Sequence, residues 1–431
     1  MNTKHTPART PSKVPANRVK TYPARRLVLP YATARAVLFL RGVKLRLTDR
    51  TEGDLKTPCV VLCNHGSFID FVYAGSLLRK HAPHFVVARL YFYRKGFGKL
   101  LRSVGCFPKS MFETDLESAQ NCLRVLRGGG VLAMMPEARL STAGRFEDIQ
   151  PGTYTFLKKA GAPIYTVRIN GDYLADPKWG KGLRRGSVVE ATLELLADGE
   201  AVKSMSADEL HGLVEARLDY DELAWLAAHP EIKYHSRRMA EGLENILTTC
   251  PVCGGVYTLS TKKNHVYCAH CGKLTDVSPR YAFSNGFAYK NFAEWYRDQL
   301  DKLRSRVTDD PDYCLTSPVT YYLPPDECGS PKGKRREGLC PVGRGICTLN
   351  RRGLTYRGSV CGEDREIFFP AESIYRLLFG AGINFELYRD GVIHYFVPDE
   401  PRSCVEWYMT SLVMTDERIS AEGAPAASVS T

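Results

Sequence analysis

The sequence predicts an α/β fold with a mostly parallel central sheet, followed by a cysteine-rich segment and a small antiparallel β domain. Over residues 59–196, short apolar runs alternate with longer helical patterns, which is typical of a parallel sheet covered by helices. From Cys347 onward apolar residues recur at every second position, which indicates antiparallel strands. The chain has 431 residues, 44% hydrophobic and 25% charged, so it is a globular protein of several domains rather than a fibre or a disordered chain.

Positive charge is concentrated at the amino-terminal end. Residues 1–50 contain 12 Lys and Arg and one acid, and the other 381 residues have a net charge of +1. Such an arm predicts contact with nucleic acid or acidic lipid headgroups, and a solvated leader without a partner is the alternative. The longest apolar stretch, Leu27–Leu40, is too short to span a membrane and contains Arg35. We expect an interfacial helix on an anionic membrane, at its cytoplasmic face, with peripheral or monotopic attachment and no transmembrane span.

The parallel sheet is predicted from five apolar runs, and its covering helices from three longer segments. The last of these helices ends at three consecutive glycines (128–130). Its apolar stripe consists of Leu116, Ala119, Leu123 and Leu126. The strands are CVVLC (59–63), FVVA (85–88), VGCF (104–107), VLAMM (131–135) and PIYTVRI (163–169), and the helices are Phe71–Lys80, Arg89–Arg102 and Leu116–Arg127.

A histidine and an aspartate follow the first of these strands, in the sequence NHGSFID (64–70). Open α/β sheets place ligands at the carboxyl ends of their strands, where His65 would lie. Asp70 begins the next helix, so its carboxylate can turn back to the Nδ1–H of His65 and leave Nε2 free as a base. The alternative is a capping aspartate beside a core histidine, because this spacing is common by chance.

A second polar segment, MPEARLS (135–141), follows another predicted strand. Glu137 and Arg139 at that strand end would suit a phosphate or a polar headgroup. In isolation, a surface loop with a salt bridge explains the same residues.

Taken in order, these segments resemble the glycerolipid acyltransferase family (PlsC-like, lysophosphatidate acyltransferases). NHGSFID matches the family's NHx4D block, and GCFPK (105–109) matches its second block. MPEARLS corresponds to the third block, and GAPIYTV (161–167) to the fourth, a strand led by proline. The resemblance extends over about residues 27–200.

The resemblance implies an O-acyltransferase in which His65, oriented by Asp70, is the general base. The donor would be acyl-CoA or acyl-carrier protein. The acceptor would be a lysophospholipid, first of all 1-acylglycerol 3-phosphate, which gives phosphatidic acid, and no cofactor is needed for the chemistry. Met111 and Leu140 stand where the family has arginines, so the acceptor's phosphate site would be rebuilt from other cations. The expected substrate-binding residues are Asn64, Lys109, Glu137, Arg139 and Arg145.

Four of the 14 cysteines form two CxxC pairs, Cys250/Cys253 and Cys268/Cys271. Two such pairs at this separation predict a zinc ribbon, in which four thiolates fill the tetrahedral shell of a structural Zn²⁺. Free or disulfide-bonded cysteines are the alternative. The remaining cysteines are scattered and, without a secretory signal, are expected to be reduced.

The antiparallel carboxyl-terminal segment is similar in pattern to pleckstrin-homology or GRAM domains, and Asp390-Gly391 predicts a hairpin turn within it. Within it the runs REIFFP (365–370) and SIYRLLF (373–379) are predicted strands, and a helix at Ser403–Thr415 closes the segment.

A non-catalytic lipid- or nucleic-acid-binding protein and an acyltransferase for glycerol 3-phosphate remain as alternative functions, although the few cations around the ribbon argue against nucleic acid. The expected division is a basic arm (1–26), an acyltransferase domain (27–247), the zinc ribbon (248–278), a helix and linker (279–346), the β domain (347–418) and a disordered tail (419–431).

Overall fold

The chain was analysed as a computed structural model that describes residues 18–328 and 338–421. Seven strands form its first sheet: β1 (Lys44–Asp49), β2 (Cys59–Cys63), β3 (His84–Ala88), β4 (Phe107–Lys109), β5 (Val131–Met134), β6 (Ile164–Asn170) and β7 (Val188–Ala197). Their order is β1-β7-β6-β2-β5-β3-β4. The five strands from β6 to β4 are parallel, and β7 runs antiparallel to β6. The predicted α/β fold with a mostly parallel sheet is confirmed.

Helices cover this sheet and account for its apolar strands. All five residues of β2 are buried, because both faces of a parallel sheet are covered. The helices are α1 (Arg25–Leu40), α2 (Asp70–Leu78), α3 (Phe97–Ser103), α4 (Leu116–Arg127), α5 (Pro151–Ala160), α6 (Asp172–Ala175), α7 (Gly199–Ser204), α8 (Ala207–Leu218) and α9 (Glu222–Ala228).

Three details of the predicted helices and strands are wrong. The helix expected at Arg89–Arg102 is broken: a 3-10 turn covers Arg89–Tyr93, and α3 begins only after Gly96, whose φ of 68° an L side chain rarely adopts. The strand expected at 104–107 begins at Phe107 instead. In α4 the buried face is not the predicted leucine stripe, because Leu116 and Ala119 are exposed. The residues that α4 buries are Ser118, Asn121, Cys122, Val125 and Leu126.

The cysteine-rich segment forms a separate small sheet of three antiparallel strands, in the order β10-β9-β8. Its strands are β8 (Leu259–Lys262), β9 (His265–Cys268) and β10 (Gly272–Asp276). The long helix α10 (Phe292–Asp309) follows it.

The predicted antiparallel β domain is present and contains seven strands. They are β11 (Leu315–Leu323), β12 (Cys340–Asn350), β13 (Gly353–Val360), β14 (Glu363–Pro370), β15 (Leu378–Gly380), β16 (Asn384–Arg389) and β17 (Val392–Pro398). Their order is β14-β13-β12-β11-β17-β16-β15. The predicted Asp-Gly hairpin joins β16 and β17, with Asp390 at φ 53° and Gly391 at φ 77°. Helix α11 (Cys404–Ala421) packs against this sheet, with Trp407 stacked on Phe385.

The β domain begins earlier than the sequence predicts. Strand β11 lies in the segment expected to be helix and linker, and Pro318 within it argues against a strand. Proline is tolerated there because β11 pairs with β17 only from Val319 to Tyr322, so the missing N–H of Pro318 is not needed. In the run 373–379 only the last residues become strand, in β15.

Three of the predicted segments lie partly outside the described residues. The structure does not describe residues 1–17 of the basic arm, residues 329–337 of the segment predicted as helix and linker, and residues 422–431 of the tail. The tail predicted as disordered from 419 is helical as far as Ala421. Similarity of the β domain to pleckstrin-homology or GRAM domains stays a prediction.

Candidate active site

The loop after β2 brings His65 and Asp70 together. The side-chain amide of Asn64 accepts from the N–H of Ile169 at 2.7 Å and donates to its carbonyl at 2.8 Å, which fixes the start of the loop on β6. His65 Nδ1 then lies 3.0 Å from Asp70 Oδ2, which also accepts from the N–H of Ser67 at 2.9 Å. With Nδ1 bonded to Asp70, the second ring nitrogen, Nε2, carries the free lone pair.

The imidazole of His65 is neutral across the neutral pH range. Burial, together with the positive charge of Lys178, lowers the pKa of His65 to about 3. Its side chain is still 23% exposed, whereas that of Asp70 is completely buried. The site therefore presents an uncharged, partly accessible nitrogen base held by a hidden carboxyl.

Glu137 supports the loop from behind. It is completely buried; its Oε1 accepts from the N–H of His65 and its Oε2 from the N–H of Glu147, both at 2.8 Å. Strands β2 and β5 are neighbours in the sheet, so the loops that follow them meet at the same edge. Glu137 joins two loops of the site and has no oxygen directed to solvent.

The guanidinium of Arg139 also bonds to other groups of the protein. Its side chain is 3% exposed, its Nε lies 3.2 Å from Glu147 Oε2, and its Nη2 is paired with Asp148. The guanidinium also lies over the rings of Phe112 and Tyr408. That Asn64, Glu137 and Arg139 bind substrate stays a prediction; in the structure their polar groups bond to other parts of the protein and hold the loops of the site in place.

The other two predicted cations lie apart from the histidine. Arg145 Nη2 is paired with Asp221 Oδ2 at 2.6 Å. Lys109 Nζ lies 3.4 Å from the carbonyl of Ser110, and burial lowers the pKa of this lysine. Within residues 18–328 and 338–421, no hydrogen bond or ion pair joins either cation to His65 or Asp70.

Sequence reasoning missed Lys178, which lies close enough to His65 for its charge to act on the ring. Lys178 Nζ is 3.5 Å from the centroid of the Phe379 ring, which belongs to the β domain. Burial lowers the pKa of Lys178 to about 7. Glu386, another β-domain residue whose charge acts on Lys178, is buried, and its pKa is raised to about 7 by burial. The β domain thus packs against Lys178, whose charge acts on His65.

Further contacts fasten the β domain to the edge of the first sheet that carries His65. The hydroxyl of Tyr408 donates to Glu147 Oε2 at 2.6 Å, and Arg376 Nη2 lies 3.2 Å from Asp148 Oδ2. The N–H of Leu90 donates to the Tyr388 hydroxyl at 3.2 Å. No short motif signals such contacts, because their partners are far apart in the chain.

The four predicted metal-ligating cysteines converge. The sulfur atoms of Cys250, Cys253, Cys268 and Cys271 all lie within 4.8 Å of one another, and those of Cys253 and Cys268 are 3.7 Å apart. Four sulfurs at about 2.3 Å from a tetrahedral Zn²⁺ would be separated by about 3.8 Å. The geometry fits a metal ion held by four thiolates and leaves no coordination position open.

Helix α1 is apolar on two sides. Leu27, Tyr31 and Leu38 are buried against the protein. On the opposite side Leu29 and Leu40 are 74% and 75% exposed. Among the described residues, none of the helices has the length and apolar content needed to cross a bilayer.

The comparisons with known proteins concern the part of the chain that contains this site. Residues 44–170 match the model of a family described as Acyltransferase. A 1-acyl-sn-glycerol-3-phosphate acyltransferase, BAT2, chloroplastic, from Brassica napus is 24% identical over 129 residues, which are 30% of this chain and 37% of that protein. The chain thus matches little more than a third of the length of this curated relative. The crystal structure of the 1-acyl-sn-glycerophosphate (LPA) acyltransferase PlsC from Thermotoga maritima is 17% identical, with a TM-score of 0.36, and the match covers 45% of this chain and 76% of that one. The part of the chain that contains His65 and Asp70 therefore lies within the residues that match the Acyltransferase family model.

Proposed function

We propose that this protein is an O-acyltransferase that moves a fatty acyl group from an acyl thioester to the free hydroxyl of a lysophospholipid. The first candidate acceptor is 1-acylglycerol 3-phosphate, and the donor is acyl-CoA or acyl-carrier protein. The observation that carries the proposal is the neutral, partly exposed His65 with its Nδ1 held 3.0 Å from Asp70, inside a domain that matches acyltransferases.

The proposed mechanism needs one base. His65 Nε2 takes the proton from the acceptor's hydroxyl, and the oxygen attacks the thioester carbonyl carbon. The carbon–sulfur bond then breaks, and the leaving thiolate takes the proton back from the imidazolium. Asp70 stabilises the transient imidazolium and fixes its orientation. Such proton transfer typically contributes about 10²–10⁴ in rate.

For the acceptor's phosphate we propose Lys178 in place of Arg139 and Arg145, whose charges are neutralised by internal partners. No salt bridge of Lys178 occurs in the described part of the chain; its charge acts on the histidine, and its ammonium lies over Phe379. A phosphate within reach of both would leave the adjoining glycerol hydroxyl facing the base.

Purified protein should be incubated with lysolipids, glycerol 3-phosphate and several acyl donors, and the products identified by mass spectrometry. We expect His65→Ala to fold and to lose nearly all transfer, and Asp70→Asn to lose less. His235→Ala, a change at an exposed histidine, is the matched control and should keep full activity. Wild-type turnover by His65→Ala would reject the mechanism, and preference for glycerol 3-phosphate would reassign the acceptor.

We also propose that the four-cysteine cluster holds a structural Zn²⁺. Its supporting observation is the sulfur geometry, which fits a closed tetrahedral site. Metal analysis should find about one zinc per chain, and Cys250→Ser should lower both metal content and stability. Full metal content in that variant would contradict the assignment.

Peripheral attachment to an anionic membrane is proposed from the outward apolar side chains of α1, next to exposed basic groups such as Arg26 and Arg35. The full chain should co-sediment with anionic vesicles, and Leu29→Asp with Leu40→Asp should weaken this binding. Retention on DNA instead of vesicles would favour the nucleic-acid alternative.

A further inference from the structure

Another buried carboxyl group, that of Asp172, adjoins the His65–Asp70 pair. Asp172 is the first residue of α6, follows β6 at the same sheet edge, and is completely buried. It packs onto Gly66 so closely that a Cβ at that position would lie 2.3 Å from Asp172 Oδ2. Glycine at position 66 is thus required by the presence of this carboxyl.

Neither oxygen of this carboxyl accepts a hydrogen bond of ordinary geometry, although the backbone N–H groups of Asp172 and Tyr173 lie near it. Asp70 Oδ2 accepts from His65 and Ser67, but Asp70 Oδ1 and both oxygens of Asp172 are buried without a partner in the described part of the chain. The side chains of Asp70 and Asp172 are within hydrogen-bonding reach of each other. Two ionised carboxylates can only accept hydrogen bonds and repel each other, whereas one shared proton satisfies both.

We propose that Asp172 is a positioning residue that keeps one proton and donates it to Asp70 Oδ1, so that Asp70 stays ionised against the Nδ1–H of His65. This inference rests on the proposed acyltransferase function and assigns a further residue to its site. Burial raises the pKa of both acids, that of Asp70 to about 8, but the hydrogen bond between them lowers the pKa of Asp70 and raises that of Asp172, so the shared proton belongs on Asp172.

The surroundings of Asp172 favour the protonated form. Burial, with the neighbouring charge of Asp70 as the next cause, raises the pKa of Asp172 well above its usual value. Among the described residues, no lysine or arginine forms an ion pair with it. Arg184 and Arg168 act instead on Asp176 and Glu222. The other titratable groups that face this cluster among the described residues are Cys63, Tyr73, Asp176, Tyr220, Glu222 and Tyr234.

Two substitutions at this position distinguish positioning from a general structural role. Asp172→Asn keeps an N–H donor for Asp70 Oδ1, so its kcat/KM at neutral pH should stay within about fivefold of wild type. Asp172→Ala leaves that oxygen unpaired and should lower kcat about 10- to 100-fold with little change in KM. Equal losses in the two variants would overturn the proposal.

The pH profile gives a second readout. When Asp172 loses its proton at high pH, Asp70 is repelled from His65 and wild-type transfer falls. The amide of Asp172→Asn does not titrate, so the ratio of variant to wild-type activity should rise with pH. Glu406→Gln, which also replaces a buried acid but one that interacts with Tyr257 and Arg306 instead of facing this cluster, is the matched control and should keep the wild-type profile. A ratio that stays flat for Asp172→Asn would overturn the proposal.

A spectroscopic measurement separates this inference from the proposed function. Infrared difference spectra of wild type against Asp172→Asn should contain the carbonyl stretch of a protonated carboxylic acid at neutral pH. That band supports the shared proton even if no acyl donor is accepted, and its absence rejects the shared proton even if transfer is found.

Discussion

Two buried clusters of charged groups lie at the same sheet edge and differ in how their charges are compensated. In the first, Asp70 and Asp172 are completely buried, and within residues 18–328 and 338–421 the only basic side chain bonded to either of them is the neutral His65. In the second, two guanidiniums, Arg139 and Arg376, both pair with Asp148. Burial favours a protonated acid in the first cluster, whereas the two guanidiniums keep the acid of the second cluster ionised. Proton transfer needs the former, and fastening the β domain needs the latter.

The pKa values of the acids differ in the same way. Burial raises the pKa of Asp172, while Arg139 and Arg376, acting against burial, hold the pKa of Asp148 well below its usual range. Asp148 therefore contributes stability above the unfolded pKa of about 4, and this is lost as the pH falls. The contribution of Asp172 to stability changes with pH in the opposite direction and falls as the pH rises above about 4. The reason is that Asp172 stays protonated in the folded protein while it ionises in the unfolded chain.

The largest predicted effect comes from breaking the compensated cluster. Arg139→Met leaves Glu147 and Asp148 buried with less opposite charge, so the free energy of unfolding should fall by about 3–5 kcal/mol. Urea unfolding followed by tryptophan fluorescence would measure it. Arg145→Met removes an exposed ion pair and should cost about 1 kcal/mol or less. Equal costs for the two variants would show that the internal pairs do not hold the structure.

A smaller change in the free energy of unfolding is predicted for the cluster of Asp70 and Asp172, and its direction is defined. Asp172→Asn should be more stable than wild type, and the difference should grow with pH above about 4 by up to about 1.4 kcal/mol per unit while Asp172 stays protonated. Urea unfolding at pH 5, 6 and 7 provides the slope. A difference that is constant with pH, or that shrinks, would mean that Asp172 is ionised in the folded protein.

The smallest effect is expected for substitution of Lys178, which interacts electrostatically with His65 of the first cluster and Glu147 of the second. Lys178→Gln should raise KM for a phosphorylated lysolipid about tenfold, the value of one charge-assisted hydrogen bond. It should leave KM for an unphosphorylated acceptor nearly unchanged, and Lys109→Gln is the matched comparison. If Lys109→Gln alone changes KM, the phosphate is bound at the end of β4 instead.

Much of the fold follows from local patterns. The buried strands β2 and β5, the helix α4 between its predicted ends, and the Asp390-Gly391 hairpin were all predicted from periodicity and turn residues. Local prediction failed where the surroundings override propensity. The break before α3 requires a left-handed glycine, and β11 contains a proline that is harmless only because of where β17 ends.

The sequence by itself determined the pairing of His65 with Asp70 and the gathering of the four cysteines, because each depends on residues close together in the chain or on a repeated spacing. Only the tertiary structure decided which polar groups remain available. Arg139 and Glu137 have the right chemistry for a ligand, yet partners from other loops and from the β domain occupy them. Asp172 and Lys178 carry no motif, but Asp172 follows β6 next to the loop after β2, and Lys178 lies over Phe379 of the β domain, near enough for its charge to act on the histidine. Burial and charge compensation depend on contacts between distant segments, and no local pattern encodes them.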